Sequence, residues 1–277
     1  MGRRNILLVL ALSPLYRLLL SLALTAATVG LLFSTPRREV GVSELRIAGG
    51  EVFLPMPKLK GAMSVEEALS RRRSVRSYLD SPLTAEELAQ ILWAAYGVSE
   101  VRWGLRTAPS AGAIYPLSVY VAVGEGGVSG LTAGVYKYLP DRHSLLLVKP
   151  GDVRRELFEA ALRQDWVLRA PVSLVVSAAY EKTERVYGER GRVRYVHMDL
   201  GHLGQNVYLQ ATALGLGTVA VGAFDDNAVK NAVGLPEGET PLYIMPIGRV
   251  AELYRIEEEA LAEYYSRNRS RPLVPKS

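Results

Sequence analysis

The chain has 277 residues and a formal net charge of +5; about half its residues are apolar, three are histidine and none is cysteine. Six arginines against two glutamates put +4 of that charge in residues 1–46, leaving +1 for the rest, too even a balance for the basic face of a nucleic-acid-binding fold. Disulfides, thiolate metal sites and cysteine nucleophiles are excluded, and His143, His197 and His202 lack metal-ligand spacing.

From Ile6 to Phe33 the chain is apolar apart from Arg17 and small polar residues. As a helix, the uninterrupted part from Leu18 to Phe33 covers about 24 Å, short of a hydrocarbon core of about 30 Å. One further turn closes the gap, because Tyr16 favours the interface and Arg17 snorkels to it. Residues 1–38 therefore read as a transmembrane anchor or, alternatively, as a cleaved signal segment that begins at Arg3 and Arg4. The expectation is a membrane-associated protein held through residues 6–33. Arginines on both sides of the span lean only slightly towards a cytoplasmic N-terminus, and the side stays open. Residues 39–60 read as a linker, 61–250 as the main domain and 251–277 as a C-terminal helix and tail.

Ser64-Val-Glu-Glu67 and Thr84-Ala-Glu-Glu87 are capping-box patterns. The first opens a short helix ending in an arginine cluster; the second starts a helix to about Tyr96 with Leu88, Ile91, Leu92 and Ala95 on its apolar face. Residues 117–123 are β-rich and predict a strand. Residues 134–149 predict a hairpin turning at Pro140-Asp141, and a helix follows over about 152–162. Pro171 leads into an apolar run at 172–178, typical of a central strand. A long helix is predicted over 195–216, with Gly201, Gly204, Ala211 and Ala213 suited to close packing, then short buried strands at 218–221 and 242–247. Helices and strands alternate without a regular βαβ repeat, so the fold class is α+β.

Three patches carry candidate chemistry. Arg72, Arg73, Ser74 and Arg76 supply forked donors and a hydroxyl where a helix gives out, which suits a phosphate; a solvated basic helix end accounts for them equally well. Pro109, Ser110, Ala111 and Gly112 form a small-residue loop that lets backbone approach a flat ligand, or simply a tight connection. The third runs from Gly215 through Val221, Gly222 and Ala223 to Asp225, with Arg249 further on after Met245-Pro-Ile-Gly; glycines there also suit an ordinary helix end.

In this order the patches resemble the nitroreductase superfamily of FMN flavoproteins over about residues 62–250. PSAGAIYP (109–116) and Asp199-Leu-Gly-His-Leu-Gly-Gln-Asn206 are most similar to its SagB-type branch, which includes azoline dehydrogenases of peptide-natural-product maturation. The resemblance implies a nitroreductase-like fold with a central mixed, mainly antiparallel sheet flanked by helices, and a homodimer with flavin sites at its interface. It implies that Arg72, Arg73, Ser74, Arg76 and Arg249 hold the FMN phosphate and ribityl chain. Pro109, Ser110, Ala111 and Gly112 would line the flavin, with Val221, Gly222 and Ala223 by its N5 edge. The implied activity is hydride transfer through FMN between NAD(P)H or an organic donor and a small acceptor, the substrate being a small molecule or peptide-derived. Tyr187 is the candidate acid or base, but Val186 stands where related azoline dehydrogenases often have lysine. The alternative reading is a membrane-tethered flavin- or nucleotide-binding sensor without turnover.

Overall fold

In the computed structural model, residues 45–48 and 50–271 are described. Strands β1 (Arg46–Ala48), β2 (Glu51–Phe53), β3 (Val98–Glu100), β4 (Leu105–Arg106) and β5 (Leu117–Val123) come first, followed by β6 (Gly134–Leu139), β7 (Ser144–Pro150), β8 (Val172–Ala178), β9 (Leu216–Thr218) and β10 (Thr240–Arg249). The main sheet runs β1-β2-β7-β6-β5-β8-β10-β9, and β3 and β4 form a separate hairpin. Every ladder between these strands is antiparallel. The parallel component implied by the resemblance shrinks to isolated bridges, Ser74–Thr218 and Leu83–Val128.

Side-chain alternation on the central strands builds two cores. Val172, Leu174 and Val176 face one layer, with Leu88, Ile91 and Leu92 of helix α2 (Ala85–Tyr96) and Leu200, Leu203 and Val207 of helix α6 (Val196–Ala213). Val175, Tyr120 and Ile244 face the other, against Leu157 of α3 (Arg154–Ala160), Val167 of α4 (Asp165–Arg169) and Val229 of α7 (Asp226–Val233). Thr84 and Glu87 complete the predicted capping box. Ser64 caps α1 (Val65–Arg71) through the Glu67 N–H only, because the Glu67 carboxylate turns to Arg71 at 2.6 Å.

Part of the predicted linker is strand: β2 pairs with β7 and buries Val52. Three residues are too short a run to display alternation. The helix predicted from 195 begins at Val196, after a π-turn (Gly191–Tyr195) and the unforeseen helix α5 (Tyr180–Arg190). Helix α8 (Glu258–Arg269) has no buried residue, as expected of a surface helix. The predicted anchor at 6–33 lies outside the described residues; among these, no helix is long and apolar enough to cross a membrane.

Candidate functional site

The arginine cluster leaves α1 in extended conformation and lies across β9 and β10. The Val75 N–H donates to the Thr218 carbonyl at 2.9 Å and the Leu79 N–H to that of Arg249 at 2.8 Å. The Tyr78 hydroxyl donates to the carbonyls of Val75 and Pro246 at 2.9 and 3.2 Å. Glycine makes this approach possible: a Cβ on Gly217 would stand 2.8 Å from Val75, and one on Gly248 2.8 Å from Tyr78.

Tyr208 of α6 organises one corner. Its ring lies 5.2 Å from the Arg72 guanidinium, and its hydroxyl is 3.1 Å from Ser74 Oγ and accepts the Ala220 N–H at 2.8 Å. Arg76 stands 5.4 Å from the Trp166 ring, and nearby Gln164 donates to the Ala223 carbonyl at 3.0 Å. Val221 is pinned by a bridge to Ile244, leaving Gly222 and Ala223 exposed. The structure thus gathers Arg72, Ser74, Arg76, Val221, Gly222 and Ala223. Arg72 and Arg76 form no ion pair among the described residues. Thr218 Oγ1 and Trp166 Nε1 in the same corner are buried without a partner among the described residues.

Two predicted members are engaged elsewhere. Arg73 stacks 3.6 Å from the Tyr254 ring and donates to the carbonyls of Ser70 and Arg72. Arg249 grips both oxygens of Glu87 through one nitrogen, at 3.0 and 2.9 Å; the Glu87 carboxylate also accepts the Thr84 N–H.

The Pro109–Gly112 loop forms a second corner. Ser110 Oγ donates to Asp199 Oδ2 at 2.6 Å and accepts the Tyr115 N–H at 3.0 Å, while the Ala111 N–H reaches Asp199 Oδ1 at 3.4 Å. The Ser110 hydroxyl commits its proton to Asp199. Burial pushes the Asp199 carboxyl up, against the opposing pull of Ser110, Ala111 and His202. Arg106 stands 4.4 and 4.6 Å from the rings of Tyr96 and Tyr115 and closes the loop's far side.

Tyr187 meets this loop directly. A Cβ on Gly112, at φ +61°, would stand 2.6 Å from the Tyr187 hydroxyl. Its ring packs edge-on to Tyr195 at 5.2 Å. Gly188, at φ 62° and ψ −157°, breaks α5 just after it, a conformation only glycine adopts readily. Val186, just before Tyr187, is 61% exposed. Asp199 and Tyr208 went unassigned in the sequence. Asp199 stood inside the quoted SagB-like stretch, whereas Tyr208, one of fifteen tyrosines, carried no signal. Nine residues apart on one helix, they are separated by roughly 13.5 Å along its axis and by half a turn around it.

A family model described as the nitroreductase family matches residues 69–249. MJ1384 of Methanocaldococcus jannaschii, named as a nitroreductase, is 50% identical over 204 residues, 74% of this chain and 100% of its own. A crystal structure from Ralstonia eutropha JMP134, also named as a nitroreductase, superposes with a TM-score of 0.64 at 30% identity, covering 76% of this chain and 94% of that one. The trifolitoxin-processing protein TfxB of Rhizobium leguminosarum bv. trifolii is 29% identical over 114 residues, 40% of this chain and 30% of its own.

Proposed function

The chain belongs to the nitroreductase family, and from that premise we propose that it is an FMN-dependent oxidoreductase of the SagB type, passing a hydride between NAD(P)H or an organic donor and a small acceptor. One observation carries this: two guanidinium groups without a carboxylate partner among the described residues, Arg72 and Arg76, flank Ser74 beside the exposed 222–223 backbone. Forked donors beside a hydroxyl suit a phosphate dianion, and the buried unpartnered Thr218 Oγ1 and Trp166 Nε1 mark a corner whose polar groups outnumber their internal partners. Bound there, FMN would supply the two-electron chemistry that side chains lack.

The chain's own residues then divide the work. Arg72, Ser74 and Arg76 bind and orient the phosphate end. Arg249 joins them with the guanidinium nitrogens that Glu87 leaves free. Ala111 and Gly112 present flat backbone, and Tyr187 Oη gives or takes the proton that accompanies the hydride. Because the corners stand apart on α6, we place the complete site between two copies of the chain. The SagB-like stretches favour a peptide-derived substrate, while Val186 in place of lysine leaves Tyr187 as the proton-handling group. Membrane attachment through residues 6–33 completes the reading.

The test is a titration of the purified chain with FMN followed by NADPH, NADH or dithionite. Yellow absorbance that bleaches with a nicotinamide supports the proposal; a chain that binds no flavin refutes it, and a bound flavin that no reductant bleaches refutes turnover.

A further inference from the structure

Asp199 is a buried carboxylate with no part in the chemistry above. It is 3% exposed, and both oxygens point at the 110–111 loop: Oδ2 takes the Ser110 hydroxyl at 2.6 Å and Oδ1 faces the Ala111 N–H at 3.4 Å. Both contacts run from the loop to the carboxyl oxygens, the Ser110 hydroxyl and the Ala111 N–H donating and Asp199 accepting.

What the clamp restrains is strained. Gly112, Ala113 and Tyr115 lie at φ 61°, 52° and 52°, and the last two carry a Cβ that disfavours the left-handed region. Such backbone persists only where its surroundings over-determine it. Here Ser110 Oγ passes the restraint on, accepting the Tyr115 N–H at 3.0 Å while donating to Asp199. At the loop's tip Gly112 meets the Tyr187 hydroxyl, where even a methyl group would lie 2.6 Å away.

We propose that Asp199 is a positioning residue: by clamping Ser110 and Ala111 it holds Gly112, Ala113 and Tyr115 at positive φ and so sets Gly112 against the hydroxyl of Tyr187. The clamp stands on geometry alone; its consequence for turnover rests on the proposed function. Asn at this position keeps the shape but turns an amide N–H2 towards one of the two loop donors, so it restores half of the clamp.

The test uses the full chain and compares the wild type with Asp199→Asn, Asp199→Ala, Ser110→Ala and the Ala/Ala double variant. In amide hydrogen exchange, Asp199→Ala raises the rates at Ala111 and Tyr115 about tenfold or more, as expected when a buried donor loses its partner. Asp199→Asn falls between, and the double variant adds little to either single change because the residues act in one network. Unchanged exchange in Asp199→Ala, or full additivity, overturns the clamp. In the FMN-loaded chain, Asp199→Ala lowers kcat with KM for the nicotinamide retained, Asn partly rescues it, and neither change lowers kcat further in a Tyr187→Phe background. Raised exchange with unaltered kcat overturns the positioning role. Raised exchange in a chain that never takes up flavin leaves the clamp standing and removes the proposed function instead.

Discussion

Replacing Gly248 by Ala tests how the arginine segment is held. Gly248 has an ordinary backbone conformation, so the perturbation is steric alone: the new methyl carbon would lie 2.8 Å from Tyr78 Cβ and Cγ and 2.9 Å from Cδ1. Ordinary contact begins at 3.4 Å, so Tyr78 must retreat by 3.4 − 2.8 = 0.6 Å. Its hydroxyl bonds to Val75 and Pro246, now 2.9 and 3.2 Å, stretch towards or past the limit of a hydrogen bond. Overpacking of this kind costs about 1–3 kcal/mol, and for a domain of this size each kcal/mol lowers Tm by roughly 2–4 °C. Because Tyr78 anchors the stretch that carries Arg72, Ser74 and Arg76, FMN affinity falls too, about tenfold for each 1.4 kcal/mol lost from its contacts. Thermal melting of the flavin-free chain and fluorescence titration with FMN read the two effects separately. A Tm and an FMN Kd both equal to wild type would refute the reasoning that glycine is needed for this approach.

Arg72→Ala should weaken FMN about tenfold to a hundredfold, the worth of a hydrogen bond to a charged group, while leaving riboflavin, which has no phosphate, unaffected in parallel titrations; equal losses for both ligands would place Arg72 elsewhere. Tyr187→Phe should retain FMN affinity and lower kcat by about a hundredfold or more, the usual share of a general acid or base, as read by steady-state kinetics. Burial opposes ionisation of Glu239, but hydrogen bonds from Ser177 (2.5 Å), Tyr120 (3.0 Å) and Lys137 (3.2 Å), with the lysine's charge, hold its carboxyl below the usual range. A lowered folded value means stability present above the unfolded value near 4.3 and lost as pH falls through the folded one. Wild type should therefore lose its advantage over Glu239→Gln below about pH 4, and parallel acid-denaturation curves for the two proteins would contradict this.

Much of the scaffold was legible because it is written in local terms. Thr84 and Glu87 cap each other as the pattern demands, the β6–β7 hairpin turns at residues 140–143, and Val172–Ala178 is the fully buried strand its apolar run implies. Helix α5 was not legible. Only Thr183 among its residues is buried, so no apolar stripe announces it, yet it carries Tyr187. The residues that organise the two corners were hidden for another reason. Asp199 meets Ser110 across 89 positions and Tyr208 meets Ser74 across 134, and no local pattern encodes a pairing at that distance. The pairing of Arg249 with Glu87, 162 positions away, was hidden on the same grounds, since Glu87 reads locally as half of a capping box and nothing more.

The arginine cluster shows how one structural fact sorts residues of identical type. Arg72 leaves the helix at φ −54° and ψ 123°, and along an extended segment alternate side chains point to the same side. Arg72, Ser74 and Arg76 therefore share a face, which is the face that meets Tyr208 and Trp166. Arg73 and Val75 take the other: Arg73 goes to Tyr254 and Val75 packs where Gly217 has no side chain. A helix continued through the same residues would have put Arg72 and Arg76 one turn apart as a repelling pair, with Ser74 on the far side. The spacing R-x-S-x-R brings its three side chains to one face only because α1 stops at Arg71, and the bridge from Ser74 to Thr218, made possible by the bare Gly217 beside it, draws the following residues into a strand-like path.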